Sequence, residues 1–446
     1  MTRFEYDITT VLVIGCAFVI AHVIAAMLSQ KVHPIALLGA IYLAVAPFSV
    51  AQELAFSTVL KYARMYSIGL SVVLAILVYR LIRFRSSALL LLAFFSFYVL
   101  AAAWSDVPSQ AAKYKMQSLL TALAGVFIAY SAKTPDDLRK ALRILLPGAM
   151  VFTILIWIKF IQDPAALRYM GRLYAFGINA NRIGQSAAPL FILCAHVALY
   201  DPLKKWKMLA YMTGVLLGII IISCGSRGAA GEALIGTFIV AMPLARRPAL
   251  LITIFLIIAV TGVAVQEYVS TPAAERLASV DVSETNRDKP WGFAMEYFRE
   301  SPLYGQGWVY TTNKRQMGAT ANMHSIYMQT LAETGIIGLA LLLTAGFVVG
   351  IRYMMVYFAN RKYSGGDPLV YYGAAITAAV LAHGVIEFGT ISGTAVNSIL
   401  IGFGFGMLDR FREWGTYHVQ LTASHRTHVP YTEGSPPATA HSMRSN

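Results

Sequence analysis

Residues 204–247 read KKWKMLAYMTGVLLGIIIISCGSRGAAGEALIGTFIVAMPLARR, two apolar runs separated by a short polar turn, with basic residues at both outer ends. A helix needs about 20 apolar residues to cross the hydrocarbon core of a bilayer, and each run approaches that length. Because lipid offers the backbone no hydrogen-bond partners, such a segment must satisfy its own amides as a helix. The stretch therefore predicts a pair of transmembrane helices joined by a turn at one membrane face.

Apolar runs of this kind recur from one end of the chain to the other. The 446 residues are 57% hydrophobic and only 13% charged, whereas a soluble domain carries about 25% charged residues. That leaves too little polar surface to cover a globule in water, so we predict an all-α polytopic membrane protein with about 12–13 transmembrane helices. The predicted spans are residues 9–29, 34–50, 64–82, 86–104, 112–131, 139–160, 183–200, 206–223, 228–244, 249–266, 325–350, 369–387 and 394–409.

Basic residues mark one side of the predicted bundle. By the positive-inside rule, the short connections richest in Lys and Arg face the cytoplasm. The alternate connections, including one long loop at residues 267–324, are then periplasmic. The net charge of +14 is therefore interpreted as a topology signal, with outer-face cations that can bind an anionic headgroup, and not as a nucleic-acid surface. The basic connections are residues 80–85, 133–143, 204–207, 246–247, 352–362 and 410–412.

The chain divides into a transmembrane domain at residues 1–414, which includes the long loop, and a tail at residues 415–446. The tail is rich in Pro, Ser, Thr, His and Gly without periodicity, which predicts a disordered cytoplasmic extension. Acidic residues outweigh Arg3 at the N-terminus, so the first span is predicted to be retained and not cleaved as a signal peptide. The three cysteines lie in or beside apolar runs without metal-binding spacing, and no metal or other cofactor is predicted.

Two polar connections on the predicted outer face carry candidate anion-binding arginines. In residues 223–228 (SCGSRG), Arg227 opens a helix, where the helix dipole and free backbone N–H groups favour an anion. Its guanidinium can bond two phosphate oxygens at once; the alternative is an interfacial arginine that reaches lipid headgroups. Glu232, in the following apolar run, is a candidate partner for Arg227. Residues 171–185 (GRLYAFGINANRIGQ) place Arg182 at a second helix start.

Histidines near the same face are candidates for proton transfer. His324 opens the helix that follows the long loop, and histidine as a residue type exchanges protons near neutral pH. The alternative is a helix cap or an interfacial residue. His383 and Glu387 are four residues apart near the outer end of a predicted span, so they share a helix face. We expect them either to pair structurally or to support the site.

The long loop is predicted to be partly helical. In residues 289–300 (KPWGFAMEYFRE), Trp291, Met295 and Phe298 recur with helical spacing and form an amphipathic face. Such a helix either lies flat on the bilayer or forms a lid over a cleft that binds sugar and lipid. In the second case, Trp308, Tyr304 and Tyr310 offer stacking faces for sugar rings.

Three motifs around this loop, within residues 170–345, resemble the O-antigen ligase and polymerase superfamily. They are the S-R-G turn at residues 226–228, the S-P-L-x-G-x-G turn at residues 301–307, and H-S-x₇-E-x-G-x-x-G-L at residues 324–339. The family often has His-Asn where this chain has His324-Ser325. Each motif is short, but their order and spacing around one loop are specific for the superfamily and do not distinguish its members.

The resemblance implies a metal-independent, inverting glycosyltransferase of the GT-C-like helical type. The donor would be a glycan on undecaprenyl pyrophosphate at the periplasmic face of the bacterial inner membrane, and the acceptor a sugar hydroxyl on lipid A–core or on another glycan chain. His324 would be the general base. Arginines would stabilise the leaving pyrophosphate. The candidates are Arg227, Arg182, and one loop arginine, which is Arg276 or Arg287, with Arg276 favoured.

Several functions remain open on the sequence alone. Within the superfamily, an O-antigen ligase is favoured over a polymerase of glycan repeat units and over a protein O-oligosaccharyltransferase. From a different class, a transporter or flippase of an anionic lipid-linked substrate would need polar residues along a path through the bundle. The sequence instead concentrates its cations at one face, which favours the enzyme.

Overall fold

The computed structural model describes residues 33–50, 57–162, 172–246, 288–309, 323–362, 367–387 and 396–427. Twelve α-helices occupy most of these residues, and no β-strand occurs among them. The all-α prediction is therefore confirmed. The helices are α1 (Pro34–Val45), α2 (Ser57–Val73), α3 (Ser86–Leu100), α4 (Pro108–Ser131), α5 (Pro135–Gln162), α6 (Ala180–Tyr200), α7 (Lys204–Cys224), α8 (Arg227–Ala241), α9 (Asp288–Glu300), α10 (Ile326–Lys362), α11 (Pro368–His383) and α12 (Val396–Thr427).

Six stretches among the described residues are long and apolar enough to cross a membrane. They expose large hydrophobic side chains such as Leu77 at 71% and Phe347 at 70%, which suits lipid and not water. The predicted polytopic membrane architecture is confirmed, while predicted spans 9–29 and 249–266 lie outside the described residues. The six stretches are Ser57–Val78, Ser86–Trp104, Pro135–Gln162, Ala180–Tyr200, Lys204–Cys224 and Ile326–Ala359.

Helix α12 includes the predicted division between the transmembrane domain and the tail, and that division stays a prediction. Helix α12 continues from Val396 through Thr427, past residue 414, where the disordered tail was predicted to begin. Residues 428–446 of the predicted tail lie outside the described residues.

Helices α4 and α12 pack with their backbones in direct contact. A Cβ atom on Gly125 would lie 1.9 Å from the backbone oxygen of Ile399, and one on Gly402 would lie 1.9 Å from that of Ala122. Small residues at a crossing let helix backbones approach each other, which is the main packing device in membranes because lipid tails are as apolar as Leu. These glycines therefore allow α4 to pack directly against α12.

A break in α10 binds the S-P-L-x-G-x-G turn of the long loop. Gly335 has φ 62° and ψ −161°, inside an otherwise helical segment. The amides that lose their helical partners there, of Ile336 and Ile337, bond the carbonyls of Pro302 and Leu303 at 2.9 and 3.4 Å. In return, residues 306 and 307 donate to the carbonyls of residues 332 and 333 at 2.9 and 3.0 Å. The S-P-L-x-G-x-G turn is thus the partner that completes the broken helix.

Helix α9 packs along the start of α10. Its buried residues are Pro290, Ala294 and Tyr297. Ala294 and Tyr297 join Met323 and Ala332 in a small hydrophobic cluster. The buried face of α9 lies one residue before the predicted face: Ala294 and Tyr297 are buried, whereas Met295 and Phe298 are only partly buried. The helix therefore contacts protein through this face, and its role as a lid stays a prediction.

Candidate functional site

Five helix ends meet at one end of the bundle, those of α6, α7, α8, α10 and α11. A Cβ atom on Gly184 of α6 would lie 3.3 Å from the Ser226 Cβ in the turn between α7 and α8. A Cβ on Gly228 would lie 3.3 Å from Nε2 of His383, at the end of α11. The amide of Ile326, at the start of α10, donates to the carbonyl of Gly384 at 2.8 Å. The fold thereby brings together the S-R-G turn, the His324 turn and the end of α11.

The turn that carries Arg227 is determined by local sequence. Gly225, at φ 55°, ends α7 in the left-handed conformation, and the Ser226 hydroxyl accepts from the amide of Ala229 at 3.4 Å to cap α8. Arg227 is consequently the first residue of α8, as predicted. Its partly exposed side chain lies at the positive end of the helix dipole, where an anion is stabilised by about 0.3–1 kcal/mol.

His324 has a backbone conformation that its neighbours enforce. Its φ is 50°, a left-handed value that costs a residue other than glycine about 1–3 kcal/mol. The amide of buried Met323 donates to Oε1 of Gln329 at 3.1 Å, and its carbonyl accepts from the indole of Trp291 at 3.0 Å. On the other side, the Ser325 hydroxyl accepts from the amide of Met328 at 3.4 Å. Hydrogen bonds on both sides of His324, the predicted catalytic residue, therefore hold its backbone in the left-handed conformation.

A chain of polar side chains ends at His324. Nδ1 of His324 lies 3.7 Å from Oε2 of Glu387, with the side chains 30% and 15% exposed. The other carboxylate oxygen of Glu387 accepts from Nδ2 of Asn181 at 3.1 Å. Arg172 donates to Oδ1 of Asn181 at 2.5 Å and to the carbonyl of Cys224 at 2.8 Å. Glu387 thus faces the histidine, while Asn181 and Arg172, in the connection at residues 171–185, hold it in place.

Within residues 171–185, the sequence predicted Arg182 as the site arginine, whereas the arginine that joins the polar chain is Arg172. Arg182 is exposed, and its amide is bonded to the capping side chain of Asn179 at 3.0 Å. Arg172 and Asn181 were missed, although both lie in the polar segment that drew attention to Arg182. Their signal was the run of short polar residues before a helix, which indicates a structured connection but not which side chain points inward. The loop candidates Arg276 and Arg287 lie outside the described residues.

His383 and Glu387 have different principal partners. Nδ1 of His383 hydrogen-bonds Oε2 of Glu232, and Nδ2 of Asn397 donates to the same oxygen at 3.2 Å. All three side chains are buried. This cluster joins α8, α11 and α12, and a supporting role of His383 at the site stays a prediction. Glu232, expected as a partner for Arg227, is a member of this cluster.

The aromatic residues predicted to stack on sugar rings differ in their exposure. Trp308 is 8% exposed and stacks on Tyr114 with a centroid distance of 5.2 Å. This packing does not support a free sugar-stacking face on Trp308. Tyr304, the second predicted stacking residue, is exposed. Trp104 is also exposed, and its indole donates to the Tyr304 carbonyl at 3.2 Å. Tyr310 lies outside the described residues.

Comparison with known families bears on this site. Residues 212–343 match the sequence model of the family described as O-antigen ligase. The match supports placing the protein in the O-antigen ligase and polymerase superfamily. Members of this family are glycosyltransferase-like ligases and polymerases embedded in bacterial membranes. No curated protein sequence matches the chain.

The O-antigen ligase match begins within α7 and ends within α10, so it includes Arg227, His324, the S-P-L-x-G-x-G turn and the helix break at Gly335. Arg172, Asn181 and Glu387 lie outside it and reach the histidine only through the fold. In the part of the chain that the structure describes, no three His, Cys, Asp or Glu side chains are grouped as metal ligands.

Proposed function

We propose that the protein transfers a glycan from undecaprenyl pyrophosphate to a sugar hydroxyl at the periplasmic face of the bacterial inner membrane. The favoured acceptor is lipid A–core, which makes the protein an O-antigen ligase. The single observation that carries this proposal is the pair formed by His324 and Glu387. His324 lies in a strained turn, and the pair is near the N-terminus of α8, which begins with Arg227. A base supported by a carboxylate beside a cationic helix end provides both halves of a displacement at a glycosyl phosphate.

In this mechanism the acceptor oxygen attacks the anomeric carbon as its proton passes to Nε2 of His324. The bond from the anomeric carbon to the phosphate oxygen breaks, and the electron pair leaves with undecaprenyl pyrophosphate. Attack opposite the leaving group inverts the anomeric centre. Glu387, facing Nδ1, stabilises the imidazolium that forms, and Arg227 stabilises the charge on the pyrophosphate. Because arginines serve this purpose, transfer is expected without a divalent metal.

The test is transfer by purified protein supplied with lipid-linked O-antigen and lipid A–core, with and without EDTA. A ligase attaches whole O-antigen chains to lipid A–core and leaves their length distribution unchanged. Lengthening of chains on the lipid carrier would instead assign the runner-up function, a repeat-unit polymerase. Movement of the lipid-linked donor across vesicles without a new glycosidic bond would overturn the enzyme proposal. Loss of transfer in EDTA, restored by magnesium, would overturn metal independence.

Arg227 is expected to require its guanidinium and not only its charge. Arg227→Lys keeps one positive charge but loses the planar pair of donors, so transfer should fall by roughly 10- to 100-fold, the equivalent of one charge-assisted hydrogen bond. The measurement is initial rate at matched membrane expression. Arg83→Lys, at an exposed site between α2 and α3, is the matched control and should leave the rate unchanged. A normal rate for Arg227→Lys would return Arg227 to an interfacial, headgroup-binding role.

The site is expected on the periplasmic side. In a Cys16→Ser background, which leaves the buried Cys194 and Cys224, a cysteine at exposed Tyr304 should react with an impermeant maleimide in spheroplasts. A cysteine at exposed Leu203, beside the basic start of α7, should react only after the membrane is permeabilised. The opposite labelling pattern would contradict the orientation and the proposed access to periplasmic donor.

A further inference from the structure

Lys115 and Glu333 form a buried ion pair. Glu333 lies one helical turn after Gln329, whose side chain binds the residue before His324. Nζ of Lys115 on α4 is 3.0 Å from Oε2 of Glu333 on α10, with the side chains 1% and 0% exposed. Nζ also lies 4.0 Å from the ring centroid of Tyr98. Removing both charges from solvent costs several kcal/mol per ion, and apolar residues would often be at least as stable there. Stability alone therefore gives little reason for this pair.

The pair is linked to the His324 turn through one amide side chain. The second oxygen of Glu333 accepts from Nε2 of Gln329 at 2.5 Å. Oε1 of Gln329 in turn accepts from the backbone amide of Met323 at 3.1 Å. Gln329 is buried, as are Glu333 and Met323. The contacts run without a gap from Lys115 to the residue that precedes His324.

The charge on Glu333 determines which way Gln329 points. An ionised carboxylate only accepts hydrogen bonds, so it must face the NH₂ group of the amide. The carbonyl oxygen of Gln329 is then directed at the Met323 amide, which needs an acceptor. A neutral or donating group at position 333 would allow the amide to turn and place NH₂ against N–H, leaving a buried donor unpaired at a cost of about 1–3 kcal/mol. Lys115 places the opposite charge 3.0 Å from the other oxygen of this buried carboxylate, the partner that a buried charge requires.

We propose that Lys115, Glu333 and Gln329 are positioning residues for His324. They fix the Met323 amide, and with it the left-handed backbone that directs the imidazole towards Glu387. This inference rests on the proposed role of His324 as the base. It also gives a reason for the glutamate in the H-S-x₇-E-x-G motif, since position 333 reaches back one turn to position 329.

Gln329→Met tests the proposal most directly, because it keeps the side-chain volume and removes the acceptor for Met323. We expect kcat to fall about 10- to 100-fold with KM for the lipid-linked donor unchanged. We also expect the acidic limb of the kcat pH profile to shift as His324 moves relative to Glu387. Glu333→Gln should do the same. A wild-type kcat and pH profile for Gln329→Met would overturn the proposal.

The exchanged pair Lys115→Glu/Glu333→Lys separates positioning from stability. It restores opposite charges between α4 and α10 but presents a donor to Gln329, which forces the amide to turn. Thermal stability should recover towards wild type while kcat stays low; recovery of kcat with stability would show that the pair is structural only. Asp201→Asn, which breaks the Arg143–Asp201 pair elsewhere in the protein, is the control and should leave kcat and its pH profile unchanged.

His324→Ala, assayed in parallel, keeps the two hypotheses apart. If His324→Ala transfers glycan at a normal rate, the base assignment fails, and the positioning role fails with it. If His324→Ala is impaired while Gln329→Met is normal, only the positioning role is overturned. The result that supports both is an impaired His324→Ala together with a stable Gln329→Met of low kcat and shifted pH profile.

Discussion

His324→Ala is expected to lower glycan transfer by about 10² to 10⁴-fold, the usual contribution of a positioned general base. The variant removes the imidazole that faces Glu387 at 3.7 Å. The anchors of the turn involve Met323 and Ser325 and do not use the His324 side chain, so folding and donor binding should be nearly unchanged. The measurement is transfer rate at saturating donor and acceptor, together with thermal stability in the same detergent.

A second histidine supplies the matched control. His33 caps α1 by accepting the amide of Ile35 at 3.4 Å, which is the structural role that His324 would have under the alternative interpretation. His33→Ala should cost about 1 kcal/mol of stability and leave transfer within a few-fold of wild type. If His324→Ala behaves like His33→Ala, then His324 is structural and the base lies elsewhere.

Gly335→Ala is expected to have the largest effect on folding. A Cβ atom there would lie 2.4 Å from the backbone carbon and oxygen of Leu303. Gly335 also has φ 62° and ψ −161°, a region essentially restricted to glycine. Strain and overpacking together should cost roughly 3 kcal/mol or more, and the loop turn must separate from α10 to relieve them. We expect a marked loss of folded protein, measured as monodisperse yield and thermal midpoint.

Gly350 lies in the same helix and provides the control. A Cβ atom on Gly350 has no other atom within 4 Å, and its backbone is helical, so Gly350→Ala should be neutral or slightly stabilising. Gly305→Ala should resemble Gly335→Ala, because its Cβ would lie 2.4 Å from the backbone of Glu333 on the opposite side of the same contact. Normal stability for Gly335→Ala would contradict the docking of the loop turn into the helix break.

Local sequence was sufficient for the helices and for the placement of single residues at their ends. Long apolar runs must be helical in lipid, and caps are local, so the left-handed Gly225 and the Ser226 cap place Arg227 at the start of α8. His324 before α10 followed from the same reasoning. The order of the glycine motifs also indicated the superfamily that the family match at residues 212–343 supports.

Only the tertiary structure decided which side chains meet. Glu387 contacts Asn181 and His324, which are distant from it in the sequence. Lys115 pairs with Glu333, and Trp308 is buried against Tyr114. In a soluble protein the polar face of a helix marks its outside. Lipid tails are as apolar as a protein core, so hydropathy shows where these helices lie but not which face meets another helix. That choice depends on close crossings such as the one at Gly125 and Gly402, where contact between two backbones selects the neighbours.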